Sequence, residues 1–311
     1  MAHARRFRFG VQVAGAGSRK DWLAKLHKIE DLGYTTVFMP DHFTDQLGPV
    51  PALASAAENS NLRIGTLVLD NDYKHPVVLA KEAATLDLLS EGRLELGIGA
   101  GWMRSDYERS GIPYDPPAVR VERFEEGLTV LKRCFAEGTF SFDGKHYRIS
   151  GYEGHPKPVQ KPHPPILIGA GGRRMLSIAA READVVGINP SLAPGEVNAE
   201  VGRDGTAERA DRKLRWVREA AGSRFEEIEF NTLVYIAAVT HDRLGVAANF
   251  APMFGITPEE ALEVPNALVG TIEQMSEDLI ARRERWCLSY YVVGEGAAED
   301  LGPLVERMAG R

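Results

Sequence analysis

A chain of 311 residues that is 44% hydrophobic and 26% charged carries enough apolar material for a large core, which excludes disorder as its default state. A net charge of −7 speaks against a nucleic-acid partner. No apolar run approaches the ~20 residues of a membrane span, and "MAHARRFRFG" has no signal-peptide core, so the expectation is a cytoplasmic protein with no membrane partner.

The arginines of the first six residues read as an unstructured start rather than a basic arm. "RFRFGVQV" (6–13) is a strand, and "SRKDWLAKLHKIEDLG" (18–33) is an amphipathic helix with a Ser start and a Gly stop. The alternation then recurs. Strands are expected at 35–40, 62–69, 93–99, 165–170, 184–189, 229–239 and 288–293. Helices are expected at 49–60, 76–90, 117–136, 172–183, 206–222, 295–309 and, broken, within 257–286. Parallel strands need helical crossovers, and eight of them close round a packed core, so the fold class is α/β, a single (β/α)8 TIM barrel over 1–311. An open doubly wound sheet is the alternative, and it needs a phosphate turn that "VQVAGAGSRK" only loosely imitates.

Insertions at the C-terminal face are expected at about 138–165, 190–206 and 240–270. The first holds five prolines from Pro156 to Pro165 and should run extended, after a small hairpin around Asp143 and Gly144. Cys134 and Cys287 are too few and too far apart for a disulfide framework or a metal site and read as packing residues.

"EGRLELGIGAGWMRSDY" sets Gly97, Gly99 and Gly101 at alternate positions before Trp102. A dinucleotide fingerprint would need a further glycine where Trp102 or Arg104 stands, and a P-loop would need a following Lys-Ser or Lys-Thr pair. Tight packing of a strand end is the plain reading of such glycines. Barrel chemistry gathers at the C-terminal ends of strands. Those ends hold Gln12, Asp41, His42, Asp70, Asn71, the Gly99 to Trp102 turn, Gly171 to Arg174, and Asn189. Gly171 and Gly172 open a helix whose free amides and positive dipole end favour a phosphate, with Arg173 or Arg174 adding charge.

Three blocks carry a resemblance: "PDHF" (40–43), "LRIGTLVLDNDYKHPVVLAKEAATLDLLSEGRLELGIGAGW" (62–102) and "KPVQKPHPPILIGAGGRRMLSIAAREAD" (157–184). Over nearly its whole length the chain resembles the luciferase-like monooxygenase superfamily, and most of all its coenzyme F420-dependent oxidoreductase branch. The resemblance implies a barrel of the bacterial-luciferase type, with the deazaflavin ring across its mouth. A backbone bulge with a non-proline cis peptide at Leu67–Val68 would back the ring, although by themselves Leu67 and Val68 read as core strand residues. Asp41 would meet the polar edge of the ring and His42 its reacting face, where an imidazole of ordinary pKa ~6.5 can carry a proton. Without the resemblance, Asp41 caps the next segment and His42 bonds to it. Gly99 and Gly101 would let the backbone approach the cofactor, with Trp102 bounding the substrate side. Gly171, Gly172, Arg173 and Asn189 complete the expected cofactor set, with no metal.

Two departures bear on the substrate. The sugar-phosphate-oxidising branch has a Trp four residues after the histidine and a Glu after the Gly-x-Gly, where this chain has Gln46 and Trp102. The expected function is F420-dependent hydride transfer with a small organic substrate, working as a reductase. The alternatives are an FMN-dependent monooxygenase and a non-catalytic flavin-binding protein. Relatives are usually dimers, so a homodimer is expected.

Overall fold

The structure is a computed structural model describing residues 5–311, so the first four residues of the start read as unstructured lie outside the described residues. Arg5 is tied down there: its guanidinium donates to the Glu227 carbonyl. The eight barrel strands, in chain order, are Arg8–Gln12, Thr36–Met39, Arg63–Thr66, Leu94–Gly99, Ile166–Ala170, Val185–Ile188, Glu229–Val234 and Leu288–Gly294. Each pairs in parallel with its sequence neighbour, and the first pairs with the eighth, which closes the ring as expected. Closure leaves no free edge, and strands such as Thr36–Met39 and Val185–Ile188 are buried along their whole length.

Two cores result. One lies between strands and helices, and Phe9, Leu26, Leu53, Phe124, Leu131 and Ile178 belong to it. The other fills the barrel, where Phe38, Leu67, Leu167, Val185, Tyr290 and Val292 meet. Phe38 spans that interior because Gly10 and Gly65 leave it room: a Cβ on either would come within 2.9 and 2.4 Å of the ring. At the N-terminal end, Glu95 is 1% exposed and is held by Arg8 at 2.9 Å, Arg63 at 2.6 Å and the Tyr290 hydroxyl at 3.0 Å. These cations hold its carboxyl below the usual range against the penalty of burial.

The hairpin forms, Phe140–Asp143 against Arg148–Tyr152, but 138–165 is corrected in place: it leads from a helix into the start of the fifth strand, and Gln160 donates to the Leu94 carbonyl at the start of the fourth, so it lies at the N-terminal end and not at the C-terminal face. Cys134 and Cys287 are both free and buried. Among the described residues no helix is long and apolar enough to cross a membrane.

The expected strand 229–239 is corrected. It leaves the barrel at Tyr235, and Ile236–Val239 pairs in parallel with Ala267–Gly270 in a separate two-stranded sheet. Likewise 240–270 is no plain connection. It contains helix Arg243–Phe254, capped by Asp242, and helix Pro258–Leu262, closed by a Thr257/Glu260 capping box. Gly245 and Pro252 argue against a helix by propensity, but burial of Ala247, Phe250 and Ala251 in a local cluster outweighs them. The long helix expected at 295–309 shrinks to a 3-10 turn at Glu295–Ala297 and a helix at Gly302–Met308.

Candidate active site at the C-terminal mouth of the barrel

The third strand stops at Thr66, turns through a cis peptide at Leu67–Val68, as the resemblance implies, and resumes as Leu69–Asp70 beside the fourth strand. Gln12, at the end of the first strand, donates to the Leu67 carbonyl at 2.8 Å and ties the bulge to the barrel wall. The glycines opposite explain themselves here. A Cβ on Gly97 would lie 1.9 Å from the Thr66 carbonyl oxygen, and one on Gly99 would lie 2.9 Å from a Val68 methyl. Gly101, with φ at +74°, would drive a Cβ to 1.8 Å from the Tyr107 hydroxyl. The space beside Gly99 and Gly101 is therefore filled by the chain's own atoms, Val68 at the one and Tyr107 and Asp70 at the other.

His42 is one-quarter exposed and its Nδ1 lies 2.7 Å from Asp106 Oδ2. Trp102 stands edge to face with it, ring centres 5.6 Å apart. One ring nitrogen is thus occupied by a carboxylate, and Nε2 is the atom left for other work. Asp41 is not the partner of His42. It instead accepts the Asp70 amide at 3.1 Å, joining the second strand to the bulge, and burial pushes its pKa up.

Asp70 is the unexpected group. Its Oδ1 accepts the Asp72 amide at 2.9 Å and its Oδ2 accepts the Tyr107 hydroxyl at 2.7 Å, while Arg123 binds Asp72 at 2.9 Å. Burial pushes the Asp70 carboxyl up from 3.8 to about 7, with the Tyr107 bond opposing and the charges of Asp72 and Asp41 adding to the rise. The folded state therefore holds a proton that the unfolded chain releases between 3.8 and about 7, and stability drops as pH climbs through that window. Asp70→Asn should remove this loss, worth up to about 4 kcal/mol by linkage. Thermal unfolding of both forms from pH 4 to 8 checks it: the variant should gain on the parent as pH rises, and parallel curves would refute the assignment.

On the far side, a Cβ on Gly171 would lie 2.5 Å from Pro190 and Ser191 backbone, so this glycine serves a chain crossing. A Cβ on Gly172 would meet nothing within 4 Å, and Gly172 caps helix Arg173–Glu182 with no side-chain bond to the first amides. Arg173, at the start of that helix, is largely exposed and faces Glu219 at 3.7 Å and the Trp216 ring. Arg174 likewise faces Glu125 at 3.6 Å. Asn189 is fixed through its backbone, its amide on the Ala170 carbonyl at 3.0 Å and its carbonyl on Lys213 Nζ at 2.8 Å. Lys213 is buried and also bridges Asp204 at 2.6 Å, and burial pulls its pKa down. Asn189 Oδ1 is buried without a hydrogen-bond partner.

A profile of the luciferase-like monooxygenase family matches residues 6–287. The chain belongs to this family. This luciferase-like chain is 29% identical over 158 residues to an FMNH(2)-dependent dimethylsulfone monooxygenase of Pseudomonas putida, covering 51% of the chain and 43% of that protein. It is 30% identical over 168 residues to an F420-dependent glucose-6-phosphate dehydrogenase of Intrasporangium calvum, covering 50% of each. The chain thus spans about half the length of these relatives. The solved coenzyme F420-dependent tetrahydromethanopterin reductase of Methanopyrus kandleri superposes with a TM-score of 0.76 at 18% identity, covering 98% of this chain and 100% of that one. That last likeness speaks to the fold alone. Within this luciferase-like barrel, then, the mouth brings together Asp41, His42, Val68, Trp102 and Asn189. Asp106 and Tyr107 escaped the reading of the sequence because "MRSDYERSG" shows no apolar run to mark it, yet it forms the helix Arg104–Ser110.

Proposed function

We propose that the chain is a coenzyme F420-dependent oxidoreductase that moves hydride between the deazaflavin C5 and a small organic substrate, as a reductase. The observation that carries this reading is the His42 and Asp106 pair at the barrel mouth: a protonatable ring, oriented by a carboxylate, beside the Leu67–Val68 bulge. The residues fit a planar tricyclic ligand. Val68 reaches toward Gly99 and Gly169 as an apolar floor, and Asn189 Oδ1 is a buried acceptor awaiting a donor. The amides opening helix Arg173–Glu182 suit a phosphate on the ligand's tail.

When bound, the cofactor supplies the two-electron chemistry. The chain's own work is to bind, orient and move a proton. Asp106 fixes the imidazole so that His42 Nε2 gives or takes a proton at the substrate, with Trp102 standing edge to face with the ring. The near-equal similarity to an FMNH(2)-dependent enzyme makes FMN the competing ligand.

Anaerobic titration of the purified protein with each cofactor tests the proposal. F420 should bind more tightly than FMN. Equal or stronger FMN binding, followed by oxygen consumption with reduced FMN, would assign the site to the monooxygenase class instead.

A further inference from the structure

The chain that leaves the sixth strand does not stay beside it. Round the barrel the fifth strand separates the fourth from the sixth. Pro190 and Ser191 cross the end of the fifth, where a Cβ on Gly171 would lie 2.5 Å from their backbone. Gly195 then reaches the loop after the fourth strand. Its carbonyl accepts the Arg104 amide at 3.1 Å, and a Cβ on it would lie 2.6 Å from the Tyr114 hydroxyl and 3.3 Å from the Trp102 carbonyl oxygen. The segment thus runs from Asn189 to the backbone of Trp102, two residues of the mouth, past the start of helix Arg173–Glu182, where Gly172 keeps open space beside it.

Its two attachments differ in kind. At the base stands Lys213, buried on helix Ala207–Ala221, with Nζ 2.8 Å from the Asn189 carbonyl, 2.8 Å from the Asp204 carbonyl and 2.6 Å from Asp204 Oδ2. The same carboxylate oxygen accepts the Ser191 amide at 2.7 Å. One buried cation therefore ties the beginning of the segment to its end, through charge-assisted bonds whose loss would strand a charge away from water. Helix Ala199–Arg203, capped by the Asn198 side chain, stiffens the returning half.

The tip is held more lightly. Besides the Arg104 amide it has the guanidinium of Arg104, which is exposed and donates to the Pro194 carbonyl at 3.3 Å. Both are bonds to neutral carbonyls that water can replace. Gly195 adds no side chain to the hold, and its φ of +81° lies where glycine moves most freely. A segment pinned by a buried ion pair at one end and by two neutral bonds at the other opens at the second.

We propose that residues 192–197 are a strap that gates the mouth: its tip leaves Arg104 to let a ligand in or out, while Lys213 holds its base. Arg104 and Lys213 are then positioning residues. The gating rests on the reading of the mouth as a cofactor site, whichever of the two cofactors binds there.

The main test locks the tip. A Cβ on Gly195 would lie 3.2 Å from Arg104 Cβ, close to the ~3.5–4.5 Å of a disulfide, and the native Cys134 and Cys287 are buried. In the variant carrying Arg104→Cys and Gly195→Cys, oxidation should slow both association and dissociation of F420 or FMN at least about tenfold, by stopped flow, and reduction should restore them. Arg104→Ala should raise both rates about two- to fivefold and change the dissociation constant less than about twofold, because a gate acts equally in both directions. Since Gly195→Cys is strained at that φ, hydrogen exchange of the unaltered chain without cofactor is the second arm: the Arg104 amide should be at least about tenfold less protected than the Ser191 amide. Rates indifferent to the disulfide, equal protection of the two amides, or an Arg104→Ala variant that loses affinity with association unchanged overturns the proposal. Failure of both cofactors to bind, with the exchange difference intact, would overturn the proposed function and leave the opening of the strap at its tip standing.

Discussion

Replacing His42 with Ala is expected to lower turnover by ~10²–10⁴ and to leave cofactor affinity little changed. The imidazole stands at the end of the second strand with Nδ1 bound to Asp106 at 2.7 Å, so its removal deletes one proton donor or acceptor at the mouth. It leaves the floor at Val68 and the amides of helix Arg173–Glu182, the groups argued to hold the ligand, in place. Steady-state rates with a surrogate acceptor, set beside cofactor titration of the same variant, separate the two effects. A variant that turns over normally would return His42 to the role of a structural partner for Asp106.

The second large effect concerns folding. Gly97→Ala is expected to cost about 3 kcal/mol or more, at the upper end for overpacking, because the new methyl carbon would lie 1.9 Å from the Thr66 carbonyl oxygen. Backbone cannot swing aside as a flexible side chain can. Since Thr66 leads directly into the bulge, cofactor affinity should drop with stability. Gly172→Ala is the contrasting case: its Cβ meets nothing within 4 Å, so stability should change by less than about 0.5 kcal/mol. Melting temperatures of the two variants decide between these outcomes. A stable Gly97→Ala protein would mean that the third and fourth strands are less tightly joined than their contact implies.

Much of this architecture is legible in residue order alone. Runs such as "PILIGA" and "DVVGIN" between helical stretches announce parallel strands because both faces of each are buried, and their count fixes closure. The "PDHF" histidine is legible as well, since position at a strand end carries chemical meaning in a barrel. What is hidden are the partners. Asp106 acts on His42 across 64 positions of sequence, and no local pattern joins them. The glycines are half legible: their spacing shows that something comes close, but not that Thr66, Val68 and Tyr107 do. Glu219 and Trp216, which face Arg173, lie on another helix and leave no local mark beside it. The segment 240–270 is misread because its helices are held by packing that propensity does not record.

The small sheet of Ile236–Val239 and Ala267–Gly270 carries a hydrophobic cluster of its own, with Ala247, Phe250, Ala261 and Val264 at its centre, set apart from both barrel cores. Its members pack chiefly on one another, although Leu268 of the same sheet joins the core between strands and helices. A lineage can rework this segment residue by residue, enlarging or trimming it, while the floor around Val68 stays under separate selection. Divergence in substrate range among chains of this build should accordingly be written in the segment after Tyr235, at little risk to the fold that carries it.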